Sequence, residues 1–276
     1  MNRALPVRPR RIGLLLGGAL TLALLLAALL SLIWTPYSVT NVAVAQRLTP
    51  PSAAHLLGTD AYGRDVASLL LVGARASLLA GLIAVGIGLF FGTALGLLAA
   101  ARGGRTEAVV MRLSDFGFAF PALLSAILLT AVFGPGLTNA ILAVGLYNIP
   151  GFARITRAAA KTVWTSDYVA AARVCGRGAW AITRLHVLPG ISSVLLVQAT
   201  VRFAVAILAE AALSYLGLGA QPPMPSWGRM LAEAQTLMFD APLLAVWPGL
   251  AIALSVLGFN LLGDGLRDAL DPRLEN

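Results

Sequence analysis

The sequence predicts an all-α, polytopic membrane protein with six transmembrane helices, and three observations carry that prediction. The 276 residues are 58% hydrophobic and only 12% charged, with a mean hydropathy of +0.84, whereas a soluble protein usually carries about 25% charged residues. The chain contains several apolar runs that approach the roughly 20 residues a helix needs to cross about 30 Å of hydrocarbon. Its basic residues fall mostly in alternate segments between those runs.

Span one reads Ile12–Trp34, without a charge. Its basic start (Arg3, Arg8, Arg10, Arg11) and a later Ala43-Val44-Ala45 imitate a secretory leader. The apolar run is longer than the about 7–15 residues of a signal, and the Ala-x-Ala lies well beyond its end. It is read as an anchor that stays. Span two runs Ser77–Ala101, span three Val109–Phe133, and span four, the shortest, Leu137–Phe152, broken by Pro150-Gly151. Span five covers Ile191–Leu218 and span six Leu243–Leu262.

Cytoplasmic segments of membrane proteins collect Arg and Lys. With the N-terminus inside, the inner segments hold fifteen basic residues and the outer ones four: Arg47, Arg64, Arg75 and Arg229. The layout is therefore a cytoplasmic N-terminus (1–11), a first span (12–34) and an outer loop (35–76). A core of five spans (77–262) and a cytoplasmic C-terminus (263–276) follow. Within the core lies one inner connection, 153–188, too long for a simple link between bundle helices and rich in the helix formers Ala and Arg.

Several functions are excluded. The single Cys175 permits no internal disulfide, CxxC pair or cysteine-based zinc site, and two histidines, His55 and His186, cannot make a histidine-rich metal site. No metal or cofactor is expected. The net charge of +8 comes from scattered Arg residues without interleaved aromatics, so nucleic acid is not an expected partner. A phosphate-cradling loop needs glycines before Gly-Lys-Ser/Thr; the only lysine, Lys161, stands before Thr162 but follows Ala158-Ala159-Ala160. The chain is no ATPase, and no enzyme is expected.

Within the long inner connection stands DYVAAARVCGRGAWAITRLHVLP, residues 167–189. It resembles the signature loop of the membrane subunits of bacterial binding-protein-dependent ABC importers. That signature reads Glu-Ala-Ala, three residues, Gly, nine residues, an apolar residue, one more, then Leu-Pro. Ala170, Ala171 and Ala172 stand at the Glu-Ala-Ala places, Gly176 follows, and Leu188-Pro189 closes it. Ala170 replaces the glutamate and His186 the apolar residue. HLLGTDAYGRD (55–65), EAALSYLGLGAQPPMPSWGRML (210–231) and GFNLLGDGLRDALDPR (258–273) are similar to segments of the dipeptide, oligopeptide and nickel permease branch, in the same order.

The resemblance implies a type I ABC importer permease fold in a bacterial inner membrane. It implies a pore-forming subunit moving di- or oligopeptides, with nickel or another small solute as the alternative. The partners it implies are a homologous second permease, two ABC ATPase subunits and a periplasmic substrate-binding protein. Ala170, Ala171, Ala172, Gly176, Leu188 and Pro189 would then couple to an ATPase subunit. The small residues would let two backbones approach, and Gly176 would let the chain reverse. Trp180–Leu188 would form a second short helix stopped by Pro189. Asp167 is a possible substitute for the missing glutamate.

Arg202 lies deep in span five, where a charge costs about +2.5–3.5 kcal/mol on insertion scales. It is expected either in the translocation pathway, meeting a peptide carboxylate, or in a structural pair with the partner permease. Glu210 is read as structural, too far along the helix to bridge Arg202. Gly88, Gly92 and Gly96 share one face of span two and read as helix packing. Asp60, Arg64 and Asp65 in the first outer loop, with Trp227 in the proline-stiffened second one, are candidates for docking the binding protein; a cap on the cavity is the other reading of the second loop. An ion-coupled carrier would need carboxylates near the midplane and an intramembrane protease a catalytic cluster at depth. Neither pattern is present in the spans.

Overall fold

The computed structural model describes residues 9–270. Arg3, Arg8 and the 271–276 tail lie outside the described residues. Eleven helices follow in order: α1 (Pro9–Ile33), α2 (Val66–Arg102), α3 (Gly104–Ala119), α4 (Ala122–Phe133), α5 (Leu137–Trp164), α6 (Asp167–Val174), α7 (Ala179–Ile182), α8 (Leu188–Gly190), α9 (Ser192–Tyr215), α10 (Trp227–Ala234) and α11 (Leu243–Leu270). No strand occurs among the described residues, as the all-α expectation requires. Four helices, α1, α2, α9 and α11, are long and apolar enough to cross a membrane, and α3 with α4 makes a fifth if that bent pair is one span.

Helix boundaries differ from the sequence reading where polar turns hide helix. Helix α2 starts at Val66 rather than Ser77, because Asp65 caps it: its carboxylate accepts the Ser68 N–H (2.8 Å) and the Ser68 hydroxyl (2.7 Å). At 1.5 Å per residue α2 is roughly 55 Å long, well beyond the roughly 30 Å of a bilayer core. The run 109–133 is two helices at 82°, broken at Phe120-Pro121, where proline forces the preceding residue out of helical geometry. Helix α5 instead runs straight through Pro150 to Trp164. The first third of the expected inner connection is therefore helix, and the projecting part begins after Trp164.

The α2–α5 pair is the spine of the bundle. A Cβ on Gly92 would lie 2.5 Å from the Phe152 Cβ and 2.6 Å from the Ile149 carbonyl oxygen; on Gly96 it would lie 2.6 Å from the Ala153 carbonyl oxygen. The Gly88, Gly92 and Gly96 face is thus the surface on which α5 rests, the close approach small residues permit in a bilayer. One buried cluster joins α2, α5, α9 and the projecting segment; a second joins α1, α2, α10 and α11.

Candidate functional site: a projecting helical turn and an arginine between helices

The chain between α5 and α9 builds a helical hairpin. Helix α6 ends in a left-handed turn: Gly176 has φ +77°, its N–H donates to the Arg173 carbonyl (2.9 Å), and the Arg177 N–H donates to Ala172 (3.1 Å). These are the two bonds of a Schellman cap, which favours glycine at the left-handed position. The return leg is α7, a wide π turn (Thr183–Val187) and α8. Pro189 does not stop this leg; it sits in the first turn of α8. A proline has no N–H to donate to the carbonyl four residues back. Directly before it, the Leu188 N–H reaches five residues back to Thr183, so the turn is already re-registered.

In the hairpin, Val169, Ile182 and Val187 are fully buried against Trp164, Ile191 and Leu195, and the Arg173 guanidinium lies 5.0 Å from the Trp164 ring centroid. Its exposed surface carries Val174 (89% exposed), Trp180 (78%), Tyr168 and Leu185 (both 52%). Of the six predicted coupling residues, Ala170, Ala171, Gly176, Leu188 and Pro189 are exposed and Ala172 is half-buried. Asp167 is exposed in the first turn of α6, where a negative charge meets the positive end of the helix dipole.

Arg202 sits halfway along α9, with its guanidinium lying over Gly151 of α5. A Cβ on Gly151 would be 2.8 Å from Arg202 Cζ and 3.3 Å from Nη1. Among the described residues Arg202 has no carboxylate partner. Glu210 is buried and takes hydrogen bonds from the Ser77 hydroxyl (3.0 Å) and the Ser214 hydroxyl (2.7 Å). It ties α2 to α9 and leaves Arg202 alone.

The four outer-loop candidates turn inward. Asp60 accepts N–H groups of Tyr62 and Arg64 (both 2.8 Å) and the Arg64 Nε (2.6 Å), and Arg64 reaches on to Glu233 of α10 (2.8 Å). Asp65 also holds His55 (3.0 Å). Trp227 is 2% exposed, donates to the Leu70 carbonyl (3.0 Å) and packs on Gly73. They weld the loops before α2 and after α9 to α2 and α10.

Ion pairs between α3 and α5 escaped sequence reading. Glu107 accepts from Arg157 Nε (2.6 Å) and Lys161 (2.5 Å), and Asp115 pairs with Arg154. Partners this far apart in sequence carry no periodic signal. They strap α3 to the C-terminal half of α5.

An apolar multi-helix bundle with a projecting hairpin that exposes apolar side chains defines a class: an integral membrane protein with a surface suited to another protein. The chain belongs to the family described as binding-protein-dependent transport system inner membrane component, whose model matches residues 92–276. It is therefore a multi-pass inner-membrane transport subunit, not an enzyme, that works with separate ATPase and substrate-binding proteins. It is 47% identical over 242 residues to the glutathione transport system permease protein GsiD of Pectobacterium atrosepticum, covering 87% of this chain and 80% of that one. It is 47% identical over 268 residues to the di/tripeptide transport system permease protein DppC of Pseudomonas aeruginosa, covering 95% and 88%. The dipeptide transport system permease protein DppC of Alkalihalophilus pseudofirmus is 42% identical over 91% of this chain and 83% of its own. A chain of the MetNI methionine ABC transporter, in an inward-facing conformation, shares the fold with a TM-score of 0.60 at 19% identity, over 74% of this chain and 96% of that one.

Proposed function

We propose that this chain is one of two homologous pore-forming subunits of an ATP-driven importer of di- and oligopeptides. The observation that carries the energised part is the set of exposed apolar side chains on the hairpin. An exposed tryptophan together with exposed Val174, Tyr168 and Leu185 on a folded element supports a protein-binding surface, and the arginines of this segment support a cytoplasmic side. Ala170, Ala171, Ala172, Gly176, Leu188 and Pro189 seat this hairpin on an ATPase subunit. Helix α5, continuous with the segment that leads into the hairpin, carries its displacement into the bundle, and the Glu107 and Asp115 pairs pass it to α3.

Six spans (α1, α2, α3 with α4, α5, α9 and α11) and both termini in the cytoplasm fit the Arg distribution. The outer face built on Asp60, Arg64, Asp65 and Trp227 receives the binding protein, these four acting by holding the loops in place. Arg202 belongs to the translocation pathway. Peptide cargo is supported by the di/tripeptide, dipeptide and glutathione systems named for the relatives.

The test is reconstitution with the homologous permease, the ATPases and the binding protein. Vesicles holding the full complex accumulate a radiolabelled dipeptide when ATP is supplied on the ATPase side, and omission of this chain removes that uptake. Accumulation of nickel without dipeptide would replace the peptide reading with the metal one.

A further inference from the structure

We infer that Arg202 is a carboxylate-binding post in the translocation path, seated by Gly151, and that it takes the free carboxylate of the passing peptide. The inference rests on the peptide reading above and adds the chemical group that is recognised.

An arginine among transmembrane helices is retained against a cost of about 2.5 kcal/mol or more, and such residues face a bundle interior or a water-filled cavity. Arg202 faces α5, not lipid: its guanidinium covers Gly151, and only a residue without a Cβ leaves room for it there. The nearest buried carboxylate along its own helix, Glu210, is occupied by Ser77 and Ser214. The Asp115 carboxylate is held by Arg154, and Glu107 by Arg157 and Lys161. Every acidic group on α3, α5 and α9 among the described residues thus has a partner, while Arg202 has none.

The surroundings carry the argument further. On α5, Tyr147, Gly151 and Arg154 recur at four- and three-residue spacing, so they share one face. Phe118 of α3 packs edge-on to Tyr147 at 5.8 Å and lies 4.7 Å beneath the Arg154 guanidinium. Arg154 and Asp115 keep 47% and 62% of their side chains exposed, so the end of this face nearest the hairpin is open to water. One track therefore leads from the exposed Asp115–Arg154 pair past aromatic rings to an unpaired cation. Its net charge is positive. Arginine binds carboxylate through two parallel N–H donors, and a peptide with a free C-terminus supplies that group.

The experiment uses the reconstituted complex and reads, for each variant, uptake relative to the unsubstituted protein. The probes are a dipeptide and the same dipeptide amidated at its C-terminus. Arg202→Gln lowers the ratio about tenfold or more for the free acid, the size of a lost charge-assisted hydrogen bond, and leaves the amide ratio near unity. Gly151→Ala displaces the guanidinium and shows the same pattern more weakly; Arg202→Lys retains part of the free-acid uptake. A second readout needs no binding protein. In a Cys175→Ser, Gln198→Cys chain, one turn from Arg202, the free dipeptide slows maleimide labelling, the amide does not, and Arg202→Gln abolishes the protection. Equal loss for acid and amide, or no protection by either, overturns the inference and leaves Arg202 as a pair for the second permease. Absence of dipeptide uptake by the unsubstituted complex would instead strike the peptide reading itself.

Discussion

Gly176→Asp leaves the complex assembled in the membrane and reduces cargo-stimulated ATP hydrolysis to its basal level, a loss of about tenfold or more. The reason lies in how the hairpin tip is made. Gly176 is held at φ +77° by the two bonds of the cap, and a Cβ added there would meet nothing within 4 Å. Sterics are therefore silent. Asparagine and aspartate both tolerate the left-handed region better than other side chains, so Gly176→Asn keeps the fold of the turn and most of the coupling. Aspartate differs from it by one negative charge between Arg173 and Arg177, next to Val174 and Trp180. The charge draws in the two cations that the tip presents and has to be desolvated in an apolar contact. ATPase rates of the reconstituted complex with and without loaded binding protein measure this directly. Equal coupling in the aspartate and asparagine variants would remove the hairpin from the coupling route.

Gly92→Leu prevents the bundle from folding, seen as loss of the monodisperse complex in detergent, whereas Gly86→Leu on the same helix leaves it intact. At Gly92 the added Cβ would lie 2.6 Å from a backbone oxygen of α5, which no rotamer change can relieve; at Gly86 nothing lies within 4 Å. Overpacking a tight contact costs typically about 1–3 kcal/mol and more when backbone must shift, and here two helices have to separate along their length. The pair of variants isolates packing from helix propensity, because both replace a glycine in α2 with the same residue. Normal assembly of the Gly92 variant would mean that α2 and α5 pack less closely than the glycine face indicates.

Much of this architecture is legible in one sequence because a bilayer enforces it. Helices α1, α9 and α11 fall close to the apolar runs that announce them, and the glycine face of α2 names its own packing surface. The hairpin turn is legible through Gly176, since a residue without a Cβ marks a left-handed turn. Legibility ends where the determinants are non-local. Asp65 caps α2 ahead of its apolar run, so the helix begins in residues that look like loop. Pro121 breaks a run of apolar side chains, and hydrophobicity alone does not register a bend. Pro150-Gly151 reads as a break, yet α5 continues because α2 packs along it on both sides of the proline. Trp227 reads as a docking or capping residue in a proline-stiffened loop and is buried on Gly73, a contact between positions distant in the chain.

The central claim is that an external ATPase moves this chain by gripping residues 167–189. The single cysteine tests it without any substitution, because Cys175 is exposed at the hairpin tip. A thiol-reactive photocrosslinker attached to Cys175 in the assembled transporter should capture the ATPase subunit, with the adduct identified by peptide mass. The yield should change when ATP hydrolysis is blocked with a non-hydrolysable analogue. Capture of the binding protein, or of lipid alone, would place the hairpin on the wrong side of the membrane or outside the coupling contact and contradict the account.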